Sequence, residues 1–439
     1  MASQMYIKVR NTKRNSEHLY FYSHLSSLFE NFSMIQPSTY LIYDSASSGH
    51  HTEFIEYLLQ YLLDQSNELI PNVNQYVFLI PAKICLTLKD LVNQAKENIL
   101  ILPISDEEQK QIDTATNRSK QMAFEGSILR GYIQTYQINH IIFMALDSYQ
   151  TLVAQWAFTQ PQLTVTGILF MPSVRMPIIK NNVLYFIKSF LEKGRDTLKH
   201  CYLSLNKNLK NIYVLNDEKS AAKLNQMIFW NKKFVHLPDP IPIRSVSKAW
   251  ILRGYYNIEA GRKIFLCFGS IDKRKNILNI LEAVLLLPTT MHSQIALLIL
   301  GKCPDKLLQR KITDKIDSIS KSCPQINIII DDRFLSIEEM ENAFEQTDVV
   351  MIPYLGFYFS SGLLGHAAKH SKYIIASNIG LMSDLVKKYH LGTTVQAHSP
   401  LSITQAMSNF IEQPIKIDYP KTFIEIHNPT YFAYQLLNS

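Results

Sequence analysis

The chain has 439 residues, is 47% hydrophobic and 18% charged, and carries a formal net charge of +7. That length exceeds one ordinary domain and that apolar fraction supports packed cores, which excludes a disordered or low-complexity chain. The charge is mild and its basic clusters are short (residues 8–14, 207–210 and 273–275), so nucleic-acid binding is not expected. What remains is an ordinary solvated surface, an anionic substrate or an anionic membrane surface.

Residues 1–30 include Lys8, Arg10, Lys13 and Arg14, but a polar mixture follows where a signal peptide needs an apolar core. Short apolar runs then alternate with amphipathic stretches. Residues 40–43 read as a strand, followed by a loop over 44–51 and a helix over 53–63; residues 76–80 and 99–102 are the next strands. A helical stretch over 114–137 leads into a strand over 141–146, and residues 166–170 and 212–215 continue the series. Continuous apolar strands separated by helices predict a parallel sheet covered on both faces. Three prolines at 238, 240 and 242 interrupt the pattern and read as an interdomain linker. A second set follows, with strands near Phe265 and over 296–300, 326–330, 349–352 and 373–376, and an amphipathic helix over 431–437 closes the chain. The expected fold is therefore α/β, two doubly wound Rossmann-like parallel-sheet domains facing across a cleft, spanning residues 1–240 and 241–420. Residues 421–439 form a terminal helix that could pack back on the first domain.

In such sheets ligands bind beyond the carboxyl ends of the strands, which directs attention to particular loops. After the strand at Phe265, Gly269 permits a tight turn, Ser270 follows, and Lys273, Arg274 and Lys275 place cations where a diphosphate could be held without a metal. The alternative is a solvated surface turn. Ser360-Ser361-Gly362-Leu363 opens a helix whose first N–H groups could point at an anion. Ser47-Ser48-Gly49-His50-His51 opens a helix in the first domain, where His50 or His51 could hydrogen-bond a sugar hydroxyl or donate to a leaving group, or be a plain exposed pair. Asp147 could bind an acceptor hydroxyl or cap the following helix; Arg175 could grip an acidic acceptor or sit on the surface. Asp332-Arg333 lies where a nucleotide base or phosphate edge could pass. Five scattered cysteines without a CxxC pair read as buried reduced thiols, and no HExxH, GxSxG or Walker-type motif is present. No metal and no cofactor are expected. With no apolar run of the ~18 residues that span a bilayer, the expected location is the cytoplasm, with room for peripheral contact with a membrane.

These loops resemble those of GT-B glycosyltransferases, closest to the retaining group 1 / family 4 enzymes that include sucrose and glycogen synthases. The likeness is carried by residues 268–276, 335–340, 347–354, 360–363 and 375–380, and in the first half only by pattern and Gly49-His50. It implies a nucleoside diphosphate sugar bound mainly by the second domain and a hydroxyl acceptor, a glycan or a lipid-linked one, bound mainly by the first. Retention of configuration, metal independence and a role in glycan biosynthesis are also implied. Lys275 matches the lysine that neutralises the leaving diphosphate, while the family's partner arginine falls at Ser270, leaving Arg274 to serve. Gly362 and Leu363 would offer amides to the phosphate, and His50 would act near the first loop. The family's paired glutamates fall at Tyr358 and His366. Those two positions keep two alternatives open: a catalytically impaired relative that binds nucleotide sugar or supports an active partner, and a nucleotide-sugar epimerase of the same fold.

Overall fold

The computed structural model describes residues 37–47, 50–65, 74–177, 183–228, 232–242, 250–356, 358–418 and 420–439. They form two parallel sheets. The first holds β1 (Thr39–Tyr43), β2 (Gln75–Pro81), β3 (Ile99–Ile104), β4 (His140–Phe143), β5 (Thr164–Leu169), β6 (Leu209–Leu215) and β7 (Phe234–Leu237) in the order β3-β2-β1-β4-β5-β6-β7. The second holds β8 (Lys263–Phe268), β9 (Ile295–Leu300), β10 (Asn327–Asp331), β11 (Val349–Ile352), β12 (Tyr373–Ser377) and β13 (Gly392–Val395) in the order β10-β9-β8-β11-β12-β13. Each sheet is covered on both faces, as its continuous apolar strands predict. Successive residues of β1 feed opposite cores, Leu41 and Tyr43 one and Tyr40 and Ile42 the other. Phe265 and Cys267 of β8 likewise oppose Ile264, Leu266 and Phe268.

The strand order reverses between β1 and β4 and between β8 and β11, where adjacent loops leave in opposite directions and open a crevice. This places the loops after β1, β8 and β11 at the seam between domains. Some boundaries differ from the sequence reading. The helix expected over 114–137 spans Arg118–Thr135, started where the Asn117 side chain accepts the Lys120 amide at 3.0 Å, and a separate helix that was not foreseen, Asp106–Thr114, precedes it. The strand expected over 141–146 stops at Phe143, where Leu146–Ser148 turns into a 3-10 helix. β7 and β13 were not foreseen, the one absorbed into the proline linker and the other a short Gly-Thr-Thr-Val run with little apolar signal.

The end of the chain crosses both domains. Phe423 of the helix Lys421–Ile426 packs in the second core, and Phe432 of the helix Pro429–Leu437 packs on Phe54 of the first, ring centres 4.7 Å apart. The linker is pinned beside it: the Ile241 amide donates to the His427 carbonyl at 2.8 Å, and His427 Nδ1 contacts the Asp239 carbonyl oxygen at 2.7 Å.

Candidate active site

The loop after β8 is built around Asp272, whose carboxylate accepts the Arg274 amide at 2.9 Å and the Lys275 amide at 3.3 Å, closing the 3-10 turn Lys273–Lys275. Gly269 adopts φ +90°, a conformation costly for any side chain, and so lets the chain leave β8 sharply. Asn276 then ties the turn down by donating to the carbonyls of Pro353 (2.9 Å) and Ala397 (2.7 Å). The result separates the three cations. Lys273 is exposed, whereas Lys275 is buried and its ammonium donates to the Phe268 carbonyl and the Tyr354 hydroxyl, both at 2.7 Å. Two of the three ammonium N–H groups are thus spent inside the protein. The Arg274 guanidinium lies over the Tyr354 ring at 5.2 Å, so both cations converge on the first residues after β11.

From Tyr354 the chain runs through residues 355–361 into the helix Gly362–Lys369. The Leu355 amide donates to the Arg274 carbonyl at 2.9 Å, and Tyr358 accepts the Leu381 amide at 2.9 Å, which fixes this loop at both ends. At the helix start the Leu364 amide donates to the Ser361 carbonyl at 3.0 Å, and the Ser361 side chain makes no capping bond. The Gly362 and Leu363 amides have no acceptor among the described residues, as the geometry of a helix N-terminus dictates. Directly over them sits His50 of the other domain: a Cβ built on Gly362 would lie 2.2 Å from His50 Cε1. Only glycine permits this approach.

His50 is itself polarised by acids. Glu53 lies 3.8 Å from Nδ1 and Asp239 is nearby; burial opposes the ring's charge, but these carboxylates outweigh it and push its pKa up to about 9. Burial lifts the Asp239 carboxyl above its usual range, only partly offset by the His50 charge. Asp239 and Asn216 border the same narrow gap, and the Oδ1 atom of each lacks a hydrogen-bond partner among the described residues. Sequence reasoning missed Asp239 because its Pro-Asp-Pro context read only as linker, and it missed Tyr354, whose signal was its place at the carboxyl end of β11.

His366 turns its ring away from the loop and into the core, against Phe344 (5.4 Å between ring centres) and the buried Glu341. Nδ1 stands 3.3 Å from Glu341 Oε1, too obliquely for a hydrogen bond, while Lys369 and His370 each reach Glu341 Oε2 at 2.9 Å. Burial works against the Glu341 charge, yet these neighbours hold its pKa well below the usual carboxylate range.

The remaining expected site residues are occupied elsewhere. Arg333 forks onto Glu339 (2.6 and 3.0 Å) and reaches Asp331 (3.0 Å), bracing the helix Ile337–Gln346. Asp147 neither caps a helix nor presents a carboxylate to the cleft; it accepts the Phe170 and Met171 amides at 2.8 and 2.9 Å and joins the ends of β4 and β5. Arg175 is not a free surface group. Its guanidinium holds the buried Asp217 at 2.6 and 2.8 Å and crosses the seam to Asp384 at 2.8 Å. Ser270 is exposed beside the turn, and Gly49 lies outside the described residues.

On the first domain, a cavity of about 570 Å³ opens at the carboxyl ends of β1 and β4, bordered by Asp44, His51, Lys83, Arg118 and Tyr149. Asp44 Oδ2 holds His51 Nδ1 at 2.7 Å, which leaves Nε2 for a ligand. Behind it the buried Glu125 accepts from the Tyr43 hydroxyl (3.0 Å) and the Tyr149 hydroxyl (2.8 Å).

Residues 249–426, the part that holds the cationic turn and the Gly362 helix, match the model of the family described as glycosyl transferases group 1. Those residues thus carry a glycosyl transferases group 1 domain, and the two facing parallel sheets are the GT-B fold. Solved structures agree on the architecture. Sucrose-phosphate synthase from Thermosynechococcus elongatus superposes with a TM-score of 0.61 at 13% identity, covering 92% of this chain and 98% of its own. The UDP-forming α,α-trehalose-phosphate synthase from Burkholderia xenovorans gives 0.64 at 7% identity, over 91% and 99%. A Listeria monocytogenes protein described as a UDP-N-acetylglucosamine 2-epimerase gives 0.56 at 10%, over 92% and 95%. At such identities the likeness establishes the fold alone. No curated protein matches the sequence.

Proposed function

We propose that this protein is a glycosyltransferase that takes its sugar from a nucleoside diphosphate sugar, transfers it to a hydroxyl acceptor with retention, and needs no metal to do so. The reading is supported by two sets of donors on loops at the topological switch point: Arg274 and Lys275 gathered at Tyr354 after β11, and His50 set over the Gly362 and Leu363 amides at the end of the same loop. Charge that grows on a departing diphosphate is stabilised there by donors already in place, the electrostatic contribution that usually dominates such catalysis. An entering diphosphate displaces the His50 ring from Gly362 and replaces Glu53 and Asp239 as its counter-charge. Ser270, Gly269 and Tyr358 line the approach, and the sugar hydroxyls meet Asp239, whose Oδ1 has no partner among the described residues. The acceptor, a glycan or a lipid-linked one, occupies the cavity beside His51, whose mixed lining of Asp44, Asp106, Asp113, Lys83 and Arg118 can accept from and donate to its hydroxyls.

A second reading is favoured by one observation. At position 366, where the family has a carboxylate, an imidazole is turned toward Glu341, as expected of a relative that binds donor without turning it over. Calorimetry with UDP, GDP and ADP, followed by assays of several nucleotide sugars for transfer and hydrolysis, separates the possibilities. Binding with transfer is the expected result. Binding without turnover supports the impaired relative, interconversion of free nucleotide sugars the epimerase, and absence of all diphosphate binding overturns the site.

A further inference from the structure

We propose that the helix Val183–Ser204 of the first domain is a docking surface for an anionic membrane, lying flat in the lipid interface. Its residues Ile187, Leu191, Gly194, Leu198 and Tyr202 recur at spacings of four, three, four and four, which sets them in one line along the helix. A line of that kind normally faces a core. Here it faces out: Leu191 is 63% and Leu198 70% exposed, with Ile187 and Tyr202 each 48%. Phe186 and Phe190 stack beside it with ring centres 6.2 Å apart, both exposed. Phe158, on the adjacent packed helix Gln150–Thr159, is 80% exposed. The opposite face is anchored in the domain, since Ser189, His200, Leu203 and Ser204 are buried and Lys193 donates to the Met176 carbonyl at 2.7 Å. An exposed aromatic and aliphatic ridge of this length is not the scattered apolar surface that needs no explanation.

Charge selects the occupant. Residues 183–210 contain six basic side chains and two acidic ones, so this short segment carries four of the seven net positive charges of the whole chain. Lys188 and Arg195 flank the ridge, and the exposed Lys207 and Lys210 follow its end. Cations beside a partly sunken apolar ridge match anionic headgroups above acyl chains. A second copy of the chain, apposed through the same ridge, would instead bring basic flanks together with few acids to oppose them. Among the described residues no helix is long and apolar enough to cross a membrane, so the contact is one of lying on the surface. This surface is read from the helix alone and stands or falls apart from the donor site.

The test is co-sedimentation of the full chain with vesicles of phosphatidylcholine alone and of phosphatidylcholine with one third phosphatidylglycerol. The full chain should partition to the anionic vesicles at least about tenfold better than to the neutral ones, less strongly as salt rises. The double variant Leu191→Ser/Leu198→Ser should lose about tenfold or more of that binding while its thermal unfolding stays unchanged, because both side chains are already in water. Equal affinity for the two vesicle types, no binding to either, or a ridge-dependent dimer in light scattering that ignores vesicles would each overturn the proposal. So would full vesicle binding by the double variant.

Discussion

Replacing Lys275 by methionine isolates the charge at the centre of the donor site, since the side chain keeps most of its volume and loses its ammonium. Two N–H groups now go to the Phe268 carbonyl and the Tyr354 hydroxyl at 2.7 Å, leaving one for a diphosphate oxygen. A hydrogen bond involving a charged group contributes roughly 1.5–3 kcal/mol, and each 1.4 kcal/mol is about tenfold, so the dissociation constant for a nucleoside diphosphate should rise about 10- to 150-fold. Arg274 remains, which is why the loss is not total. The same variant leaves the Phe268 carbonyl without this buried donor, at a cost of about 1–3 kcal/mol of stability. Titration calorimetry with UDP, GDP and ADP and a thermal melt read the two effects separately. Lys273→Ala, at the exposed neighbour, should change neither. A Lys275→Met protein that melts lower yet binds its best diphosphate as the parent does would show that Lys275 only staples the loop, and would refute the reasoning.

Two further outcomes follow from the seam. The His50 pKa, raised to about 9 from an ordinary 6.5, means that its ionic contribution to the closed arrangement is complete below pH 6.5 and is lost as pH rises through about 9. Small-angle scattering should show the chain expanding over that window; His50→Gln should abolish the pH dependence, and an identical profile in the variant would count against the assignment. Asp384 receives Arg175 at 2.8 Å and Lys219 at 3.1 Å from the other domain but is 30% exposed, so each pair is held to roughly 0.2–1 kcal/mol by solvent screening. Asp384→Ala, which removes both pairs, should therefore favour separation of the two domains by about two- to thirtyfold, measured as an interdomain distance distribution between two spin labels, and the difference should vanish at high salt. A salt-insensitive change would point to packing instead.

The sequence determined the two parallel sheets, because strands such as residues 296–300 are apolar on every side and can be buried only between two helical layers. It also pointed to the loops that follow β1, β8 and β11, since ligands of such sheets bind beyond the carboxyl ends of strands, and it marked the cationic turn, the Ser-Ser-Gly helix start and His50; the strand order that sets those loops at one seam came from the tertiary structure. Tertiary structure decided what those groups do. Lys275 is drawn inside by Tyr354, seventy-nine positions away, while its neighbour Lys273 stays in water. Arg175, read as acceptor grip or loose surface, spans the seam because Asp384 arrives from 209 residues further along the chain. Arg333 is committed to Glu339, and Asp147 to two amides at the end of β5. Periodicity and turn chemistry are local properties and survive in a string of residues; a charge is functional or structural according to which distant partner the packing brings within 3 Å, and no local pattern records that.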